Sequence, residues 1–209
     1  MLALANWCRP QRRPRIEFPL TEHPVPKIHL IRHGHVAPGD RGCADPGLDD
    51  LGLAQAASLA LRLAEQFPRP LPILSSPLLR CRQTAAPLAQ LWNSTPTIDA
   101  RVSEIPSPSA EPAARKAWLT EMLAASWPDP ASPDSSNDFS MRLSAWQNAA
   151  LAAIAECAED TVIFSHYFAI NWLCSAASGS ARIDRFRPAH TAMTSCEFDR
   201  GVLSLIEQA

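Results

Sequence analysis

The sequence predicts a single domain of the α/β class, a three-layer α/β/α sandwich with a mostly parallel central sheet and a small helical cap insertion. Short β-prone runs alternate with longer segments of helical periodicity along most of the chain. No internal repeat interrupts this alternation. The chain has 209 residues, 46% hydrophobic and 19% charged, which suits one globular domain with an appended segment.

The elements of the first half follow from β-prone runs, helical spacing and the positions of proline. Residues 27–32 are a short β-prone run, and Gly34 marks the end of the predicted strand. A loop rich in Gly, Pro and Asp follows at 35–47. Apolar residues at helical spacing predict a helix over 50–67, which the next prolines end. The remaining elements predicted here are a buried strand at 71–75, a helix at 78–91 interrupted near Pro87, and a weaker strand at 97–102.

The second half contains the predicted cap. Residues 106–137 are rich in Pro and Ser around one helical patch at 113–126, a pattern more typical of an insertion than of a sheet element. The other elements predicted here are a helix with one apolar face at 139–157, a β-branched strand at 161–165, an apolar helix at 168–177, and two strands at 193–198 and 202–206. The turn Asp199-Arg200-Gly201 joins those last two strands into a hairpin.

Residues 1–26 precede the predicted domain, which spans 27–209. They hold five prolines and four arginines, and proline at this density disfavours helix and central strand. An extended or disordered lead-in is therefore expected. The segment also lacks the basic start and the longer apolar core of a signal peptide.

Composition and charge narrow the possible partners. The formal net charge of −2 indicates no general attraction to nucleic acid or to an anionic membrane. The six cysteines form no CxxC pair and show no zinc-ligand spacing, so neither a metal site nor a disulfide scaffold is expected. The most apolar stretch, 51–64, is too short to span a bilayer. These features favour a cytoplasmic protein with reduced thiols and without a nucleic-acid or membrane partner.

Cationic and titratable residues follow three of the predicted strands. The segments are Arg32-His33-Gly34, Ser75 to Thr84 with Arg80, and Ser165-His166. Because ligands of open α/β sheets bind at the carboxyl ends of the strands, these loops are expected to converge. Arginine forks suit phosphate oxygens, and a histidine can attack phosphorus through one ring nitrogen if the other is held as a donor.

With these motifs the sequence resembles the histidine phosphatase superfamily, whose fold is phosphoglycerate-mutase-like. The resemblance covers roughly residues 27–206. The motifs that carry it occur in the family's order and are Leu30-Ile31-Arg32-His33-Gly34, Leu48 to Ala56, Ser75 to Ala85, Arg101-Val102-Ser103-Glu104 and Phe164-Ser165-His166. An Arg-His-Gly tripeptide alone is weak evidence, whereas the ordered set is specific.

The resemblance implies a role for each matching residue. His33 is the residue that becomes phosphorylated, Arg32, Arg80 and His166 bind the phosphate, and Glu104 is the proton donor. A glutamate needs a raised pKa to serve as an acid, so an acidic to neutral optimum is expected. Glu104 lacks the glycine and tryptophan common after the family's acid, which leaves Glu111 as a substitute and Asp99 as a poorer one.

Further residues are expected near the phosphate. Gly34 lets the backbone turn tightly beside the substrate. His35 follows the signature where mutases carry a small polar or acidic residue, and it either lines the pocket or has no special role. Tyr167 replaces a glycine usual after the second histidine, which narrows the pocket while its backbone N–H stays available to phosphate. His190 is a further candidate to face the site.

The function implied is that of a histidine acid phosphatase-like phosphoric monoester hydrolase acting on a small phosphorylated metabolite, without metal or cofactor. The alternatives are a phosphoglycerate mutase, a phosphatase of phosphohistidine proteins, and a phospho-ligand or phosphoprotein binding module that has lost turnover. Substrate identity and oligomeric state are left open by the sequence.

Overall fold

The computed structural model describes residues 25–36, 45–109, 111–129, 131, 134, 136–200 and 202–208. Almost all of the lead-in predicted at 1–26, and most of the loop predicted at 35–47, lie outside these residues. The described part of the chain forms six strands, five α-helices and one 3₁₀ turn. In chain order they are β1 (Lys27–Arg32), α1 (Asp50–Gln66), β2 (Ile73–Ser75), α2 (Leu79–Leu91), β3 (Thr97–Ile98), the 3₁₀ turn (Ala100–Val102), α3 (Pro112–Met122), α4 (Asp138–Ala155), β4 (Thr161–Ser165), α5 (Tyr167–Ser178), β5 (Met193–Asp199) and β6 (Val202–Gln208).

The six strands form one sheet in the order β3-β2-β4-β1-β5-β6. The first four of these run parallel, whereas β5 is antiparallel to β1 and β6 is antiparallel to β5. β1 lies at the centre, where Leu30 pairs with Ile163 on one side and with Thr194 on the other. The predicted mostly parallel sheet and terminal hairpin are confirmed.

Two hydrophobic clusters cover the two faces of the sheet. Successive strand residues alternate between them, as the pleat requires: Leu30 belongs to one cluster and Ile31 to the other. The cluster containing Ile31 includes residues of α1 and α2, and the cluster containing Leu30 includes residues of α4 and α5. Helices therefore lie on both faces, which is the predicted three-layer sandwich.

The helices begin at polar caps that the sequence supplies. The Asp49 side chain accepts a hydrogen bond from Gly52 N at the start of α1, and Asn137 caps α4 in the same way. α5 ends at Gly179, whose φ of 63° is in the left-handed region that glycine adopts without strain.

Two predicted elements differ from the structure. The strand predicted at 97–102 stops after Ile98, because the Asp99 side chain accepts a hydrogen bond from Arg101 N and starts the 3₁₀ turn. The interruption predicted near Pro87 is wrong, because α2 continues through it. A proline removes one backbone donor, and the buried Ala85 and Leu88 on either side of it hold the helix in the core.

The helical patch predicted at 113–126 is confirmed as a shorter helix, α3. After α3 the chain turns, and Ser126 forms an isolated antiparallel bridge with Arg182. None of the helices in the described ranges is long and apolar enough to cross a membrane.

Candidate active site

The three polar segments meet at the carboxyl ends of β1, β2 and β4. His33 N donates to Ser165 O over 3.1 Å, which ties the end of β1 to the end of β4. Ser76 N donates to Phe164 O over 3.0 Å and ties the end of β2 to the same strand. The convergence predicted from the sequence is therefore present in the fold.

His33 is buried at the centre of this edge, with 8% of its surface exposed. Its Nδ1 lies 2.8 Å from the carbonyl oxygen of Gly34. Because a carbonyl oxygen only accepts hydrogen bonds, Nδ1 carries the proton and Nε2 keeps its lone pair. Burial, and then the charge of Arg80, lower the pKa of His33 to about 3. The imidazole is thus neutral at neutral pH.

His166 lies beside His33, with 5.3 Å between the ring centroids. It is fully buried, and its Nε2 is 2.8 Å from Ser76 Oγ and 3.3 Å from Cys81 Sγ. Burial, followed by the charge of Arg80, lowers its pKa well below the ordinary histidine value. The site therefore contains two adjacent neutral imidazoles.

Arg32 has one side of its guanidinium held by the protein. Its Nη1 donates to Pro188 O over 2.8 Å, and its guanidinium carbon lies 5.1 Å from the centre of the Tyr167 ring. Its Nε is buried and has no hydrogen-bond partner among the described residues. Burial lowers the pKa of Arg32, as expected for a cation removed from water. An anion in the site would satisfy the unpaired donor.

Arg80 projects from the first turn of α2 and is buried. Its Nη1 is 3.7 Å from Asp45 Oδ1, and both oxygens of that carboxylate accept from Leu79 N at 2.9 Å. The charge of Arg80 lowers the pKa of both His33 and His166. Arg32 and Arg80 together make the edge cationic.

Gly34 is required by a close backbone approach. Its N–H donates to Thr84 Oγ1 over 3.0 Å, and a Cβ at this position would lie 2.8 Å from Gly52 O in the first turn of α1. Gly52 is packed as tightly, because a Cβ there would lie 2.1 Å from His35 O. Glycine is thus needed at position 34 because two backbone segments approach closely there. The φ of Gly34 is not in the left-handed region, so the expected tight turn is not the reason.

His35 and His190 form a second pair of imidazoles next to His33. The two rings are 5.3 Å apart, and His190 is 5.7 Å from the ring of His33. His190 Nδ1 donates to His33 O over 3.0 Å, and burial lowers its pKa. The ring nitrogen Nδ1 of His35 is 2.7 Å from Asp49 Oδ2, and the backbone N–H of His35 donates to Gln55 Oε1. His190 therefore does face the site.

Glu104 reaches the site from the segment after the 3₁₀ turn. Its Oε1 accepts hydrogen bonds from Ile105 N at 3.0 Å and from Phe168 N at 3.2 Å, at the start of α5. Burial raises the pKa of Glu104, and its charge interacts with Arg32 and Arg80. This is the environment that a carboxylic acid needs to hold its proton.

The two alternative acids are engaged elsewhere. Glu111 is exposed and caps α3 by accepting a hydrogen bond from Ala114 N. This backbone donor, followed by that of Ala113, lowers the pKa of Glu111. Asp99 accepts from Arg101 Nη2 at 2.7 Å, and this contact lowers its pKa. Both carboxyls favour the ionised form, so neither has the environment that Glu104 has.

Several contacts of the site were not predicted. Asp45 lies in a loop far from Arg80 in sequence, and the signal for it was indirect: Leu78, the residue before α2, supplies no capping side chain. Ser76, directly after β2, is a second such residue, because its Oγ contacts His166. Among the described residues, no group of three or more His, Cys, Asp or Glu side chains could hold a metal ion.

Comparison with known proteins gives one match to a family. The family model described as histidine phosphatase superfamily (branch 1) matches residues 28–208. Among curated proteins, PE-PGRS family protein PE_PGRS11 of Mycobacterium tuberculosis is 39% identical over 84 residues. That alignment covers 37% of this chain, and this chain spans only 14% of that relative's length.

Solved structures share the fold at low sequence identity. A phosphoserine phosphatase mutant from Entamoeba histolytica, in complex with phosphoserine, superposes with a TM-score of 0.66 at 21% identity, covering 87% of this chain and 95% of that one. A mycobacterial glucosyl-3-phosphoglycerate phosphatase in complex with VO3 superposes with a TM-score of 0.64 at 20% identity, covering 88% and 98%.

Proposed function

The chain belongs to the histidine phosphatase superfamily, branch 1, and we propose that it is a metal-independent phosphomonoesterase acting on a small phosphorylated metabolite. The observation that carries the proposal is the state of His33. Its Nδ1 is held as a donor by the Gly34 carbonyl, so the lone pair of Nε2 is free in a site with two arginines. A neutral, oriented imidazole beside fixed cations is suited to accept a phosphoryl group.

The first step transfers the phosphoryl group to His33. Nε2 attacks phosphorus, the N–P bond forms, and the P–O bond to the leaving group breaks. Arg32 and Arg80 balance the charge on the equatorial oxygens. The proton of Glu104 passes to the leaving oxygen, which departs as an alcohol.

The second step returns the enzyme to its starting state. Water attacks the phosphorus of phosphohistidine, Glu104 as carboxylate takes a proton from that water, and the N–P bond breaks to release phosphate and His33. The Gly34 carbonyl keeps Nδ1 of His33 oriented in both steps. The course requires no metal ion.

The proposed leaving group is small and polar. The phosphoserine phosphatase whose fold this chain shares was solved with phosphoserine and with 3-phosphoglyceric acid, and this similarity supports phosphorylated metabolites as the first esters to test. The insertion that carries α3 lies between β3 and α4, and its Trp118, Leu119 and Met122 pack against the hydrophobic cluster that contains Leu30.

The test measures phosphate release from a panel of phosphorylated metabolites and from 4-nitrophenyl phosphate, at pH 5 to 8 in EDTA. We expect wild type to turn over at least one ester and His33→Ala to lose this activity by a factor on the order of 1,000 or more. Rapid quenching in alkali, followed by mass spectrometry of the peptide containing residue 33, is expected to detect phosphohistidine in wild type alone. Circular dichroism checks that the variant is folded.

A matched pair of arginine variants tests the phosphate-binding assignment. Arg80→Gln removes a buried cation whose charge acts on His33, and Arg82→Gln removes an exposed one from the same helix. We expect Arg80→Gln to lower kcat/KM by about 100-fold or more, whereas Arg82→Gln remains near wild type.

Phosphoglycerate interconversion, vanadate binding and the effect of EDTA distinguish the proposed function from its alternatives. Interconversion of 2- and 3-phosphoglycerate without net phosphate release would replace the proposal with a mutase. Tight vanadate binding by a folded wild type that releases phosphate from no ester would replace it with a binding module. Activity that EDTA abolishes would contradict the metal-independent course.

A further inference from the structure

Ser76, directly after β2, is buried against the second histidine of the site. Its Oγ is 2.8 Å from His166 Nε2, and both side chains are fully buried. This distance is that of a hydrogen bond, in which either Nε2 donates to Oγ or Oγ donates to Nε2. The two cases place the proton of a neutral His166 ring on different nitrogens, because the bond made by one ring nitrogen determines the state of the other.

Nδ1 is the ring nitrogen of His166 that is left for a ligand. Among the described residues its one hydrogen-bond partner is Cys81 Sγ at 3.9 Å, a distance too long for a strong bond. The ring centroid of His166 is 5.3 Å from that of His33. A phosphoryl group on His33 would therefore lie beside His166, and its negatively charged oxygens need donors.

A neutral His166 can donate from Nδ1 only if Nε2 carries no proton. Burial and the charge of Arg80 lower the pKa of His166, so the ring has a single proton at neutral pH. With that proton on Nε2, the lone pair of Nδ1 would face a phosphoryl oxygen and repel it. With the proton on Nδ1, Nε2 becomes a buried acceptor, which needs a donor from the protein.

The hydroxyl of Ser76 can be that donor. Its oxygen accepts a hydrogen bond from Leu78 N over 3.3 Å, which leaves the O–H proton free to point at Nε2. Cys81 is the poorer candidate: its Sγ is 3.3 Å from Nε2, but the thiol is a weak donor and lies equally close to Ser165 O, a carbonyl that only accepts. The sulfur, which Ser76 also approaches, is a weak acceptor compared with a ring nitrogen.

We propose that Ser76 is a positioning residue that fixes the tautomer of His166, donating its hydroxyl proton to Nε2 so that Nδ1–H binds the phosphoryl group. This inference rests on the proposed function. The protein then holds the two imidazoles in opposite ways. An acceptor, Gly34 O, holds Nδ1 of His33 and leaves a lone pair for phosphorus, whereas a donor holds Nε2 of His166 and leaves an N–H for oxygen.

The ¹⁵N spectrum of the full chain, labelled at histidine, measures the tautomer directly. Protonated and unprotonated ring nitrogens resonate far apart, and the signals of His166 are identified by their absence in His166→Gln. We expect wild type at pH 7, with and without vanadate, to carry the proton on Nδ1. Ser76→Ala is expected to give a mixture of the two tautomers, because neither ring nitrogen then has a strong partner.

Vanadate inhibition measures what the tautomer contributes to binding. Ser76→Ala is expected to raise the inhibition constant by about 10-fold or more, since the lost bond is one to a charged group. Ser76→Cys keeps a weaker donor and is expected to be intermediate. The matched control is Ser75→Ala, which removes the adjacent buried hydroxyl that donates to Ser76 O, and it is expected to keep the tautomer and to stay within about threefold of wild type. Circular dichroism checks the fold of each variant.

Three results would overturn the role of Ser76. They are wild type with the proton on Nε2, Ser76→Ala with the proton still only on Nδ1, and a mixture of tautomers in Cys81→Ala, which would assign the role to the thiol. The tautomer is measured without turnover. A chain that shows the expected tautomers but cleaves no ester would therefore contradict the proposed function and leave the role of Ser76 standing.

Discussion

The guanidinium carbon of Arg32 lies 5.1 Å from the centroid of the Tyr167 ring, so the two side chains form a cation–π contact. The Tyr167 hydroxyl donates to Asp184, which also accepts from Arg187 Nη2 at 2.8 Å. The ring is therefore fixed at its far end while its face supports Arg32. Tyr167, the first residue of α5, thus supports Arg32.

Replacing Tyr167 is expected to weaken anion binding through Arg32. Tyr167→Leu removes the aromatic face, and since a cation–π contact contributes roughly 0.5–2 kcal/mol, the vanadate inhibition constant is expected to rise roughly 2- to 30-fold. Tyr167→Phe keeps the face and is expected to stay within about threefold of wild type. Equal weakening in both variants would mean that the hydroxyl, and not the ring, orients Arg32.

Replacing Glu104 is expected to affect esters according to their leaving group. Glu104→Gln cannot donate a proton, so we expect kcat for alkyl phosphates to fall by about 100-fold or more. 4-Nitrophenolate leaves readily without a proton, and its ester is expected to lose much less. Glu111→Gln, an exposed change that keeps an oxygen for the helix cap, is the control. A uniform loss across esters would remove Glu104 from the role of acid.

The pH profile provides a second check on the same residue. Burial raises the pKa of Glu104, and the donor must be protonated, so kcat/KM for alkyl esters is expected to decline as pH rises through that pKa. Glu104→Gln is expected to lose this limb. An activity that keeps rising above pH 8 contradicts the assignment.

His33 is expected to make the fold sensitive to acid. Its pKa is about 3 in the folded protein, lowered mainly by burial, against about 6.5 in the unfolded chain. Between these values the unfolded chain binds a proton that the folded protein does not, so the free energy of unfolding decreases as pH falls below 6.5. The contribution of His33 between pH 7 and pH 5 is roughly 2 kcal/mol.

Urea unfolding at pH 7 and pH 5, in buffer without phosphate, measures this effect. From pH 7 to pH 5 the free energy of unfolding is expected to fall by roughly 2 kcal/mol less in His33→Gln than in wild type. A parallel loss in both proteins would mean that His33 is protonated in the folded state at pH 5.

The contact between Gly52 and His35 is expected to tolerate no side chain. A Cβ at position 52 would lie 2.1 Å from the backbone oxygen of His35, so Gly52→Ala must displace α1 or the loop after β1. Overpacking of this kind costs roughly 1–3 kcal/mol and here also moves the backbone next to His33. Gly47→Ala is the comparison, because its Cβ would meet the movable Gln83 amide at 2.7 Å. Thermal unfolding that ranks Gly47→Ala below Gly52→Ala in stability would contradict this account.

The edge of the sheet where the site lies could be predicted from the sequence because of a general geometric rule. Arg32 ends β1 and His33 follows it, His166 follows β4, and strands that run parallel end on the same side. The alternation of strands and helices was sufficient to predict the three layers, and the turn at Asp199-Arg200 was sufficient for the hairpin.

The contacts that could not be predicted depend on tertiary packing between distant segments. Thr84 binds Gly34 N across 50 residues of sequence, and Asp45 approaches Arg80 from a loop. Residue preferences alone predicted a strand at 97–102, but the hydrogen bond from Arg101 N to the Asp99 side chain ends β3 at Ile98.

The central position of β1 determines when the site can form. β1 is the first strand of the described residues, yet both of its neighbours, β4 and β5, come after α4: Ile28 pairs with Thr161 on one side and with Cys196 on the other. While the chain is being synthesised, β1 is made first and has both edges unpaired until those strands follow. Pairings between segments so far apart form slowly, and exposed edges invite association with other chains. His33, the proposed nucleophile after β1, is thus among the first parts of the site to be synthesised and among the last to be placed.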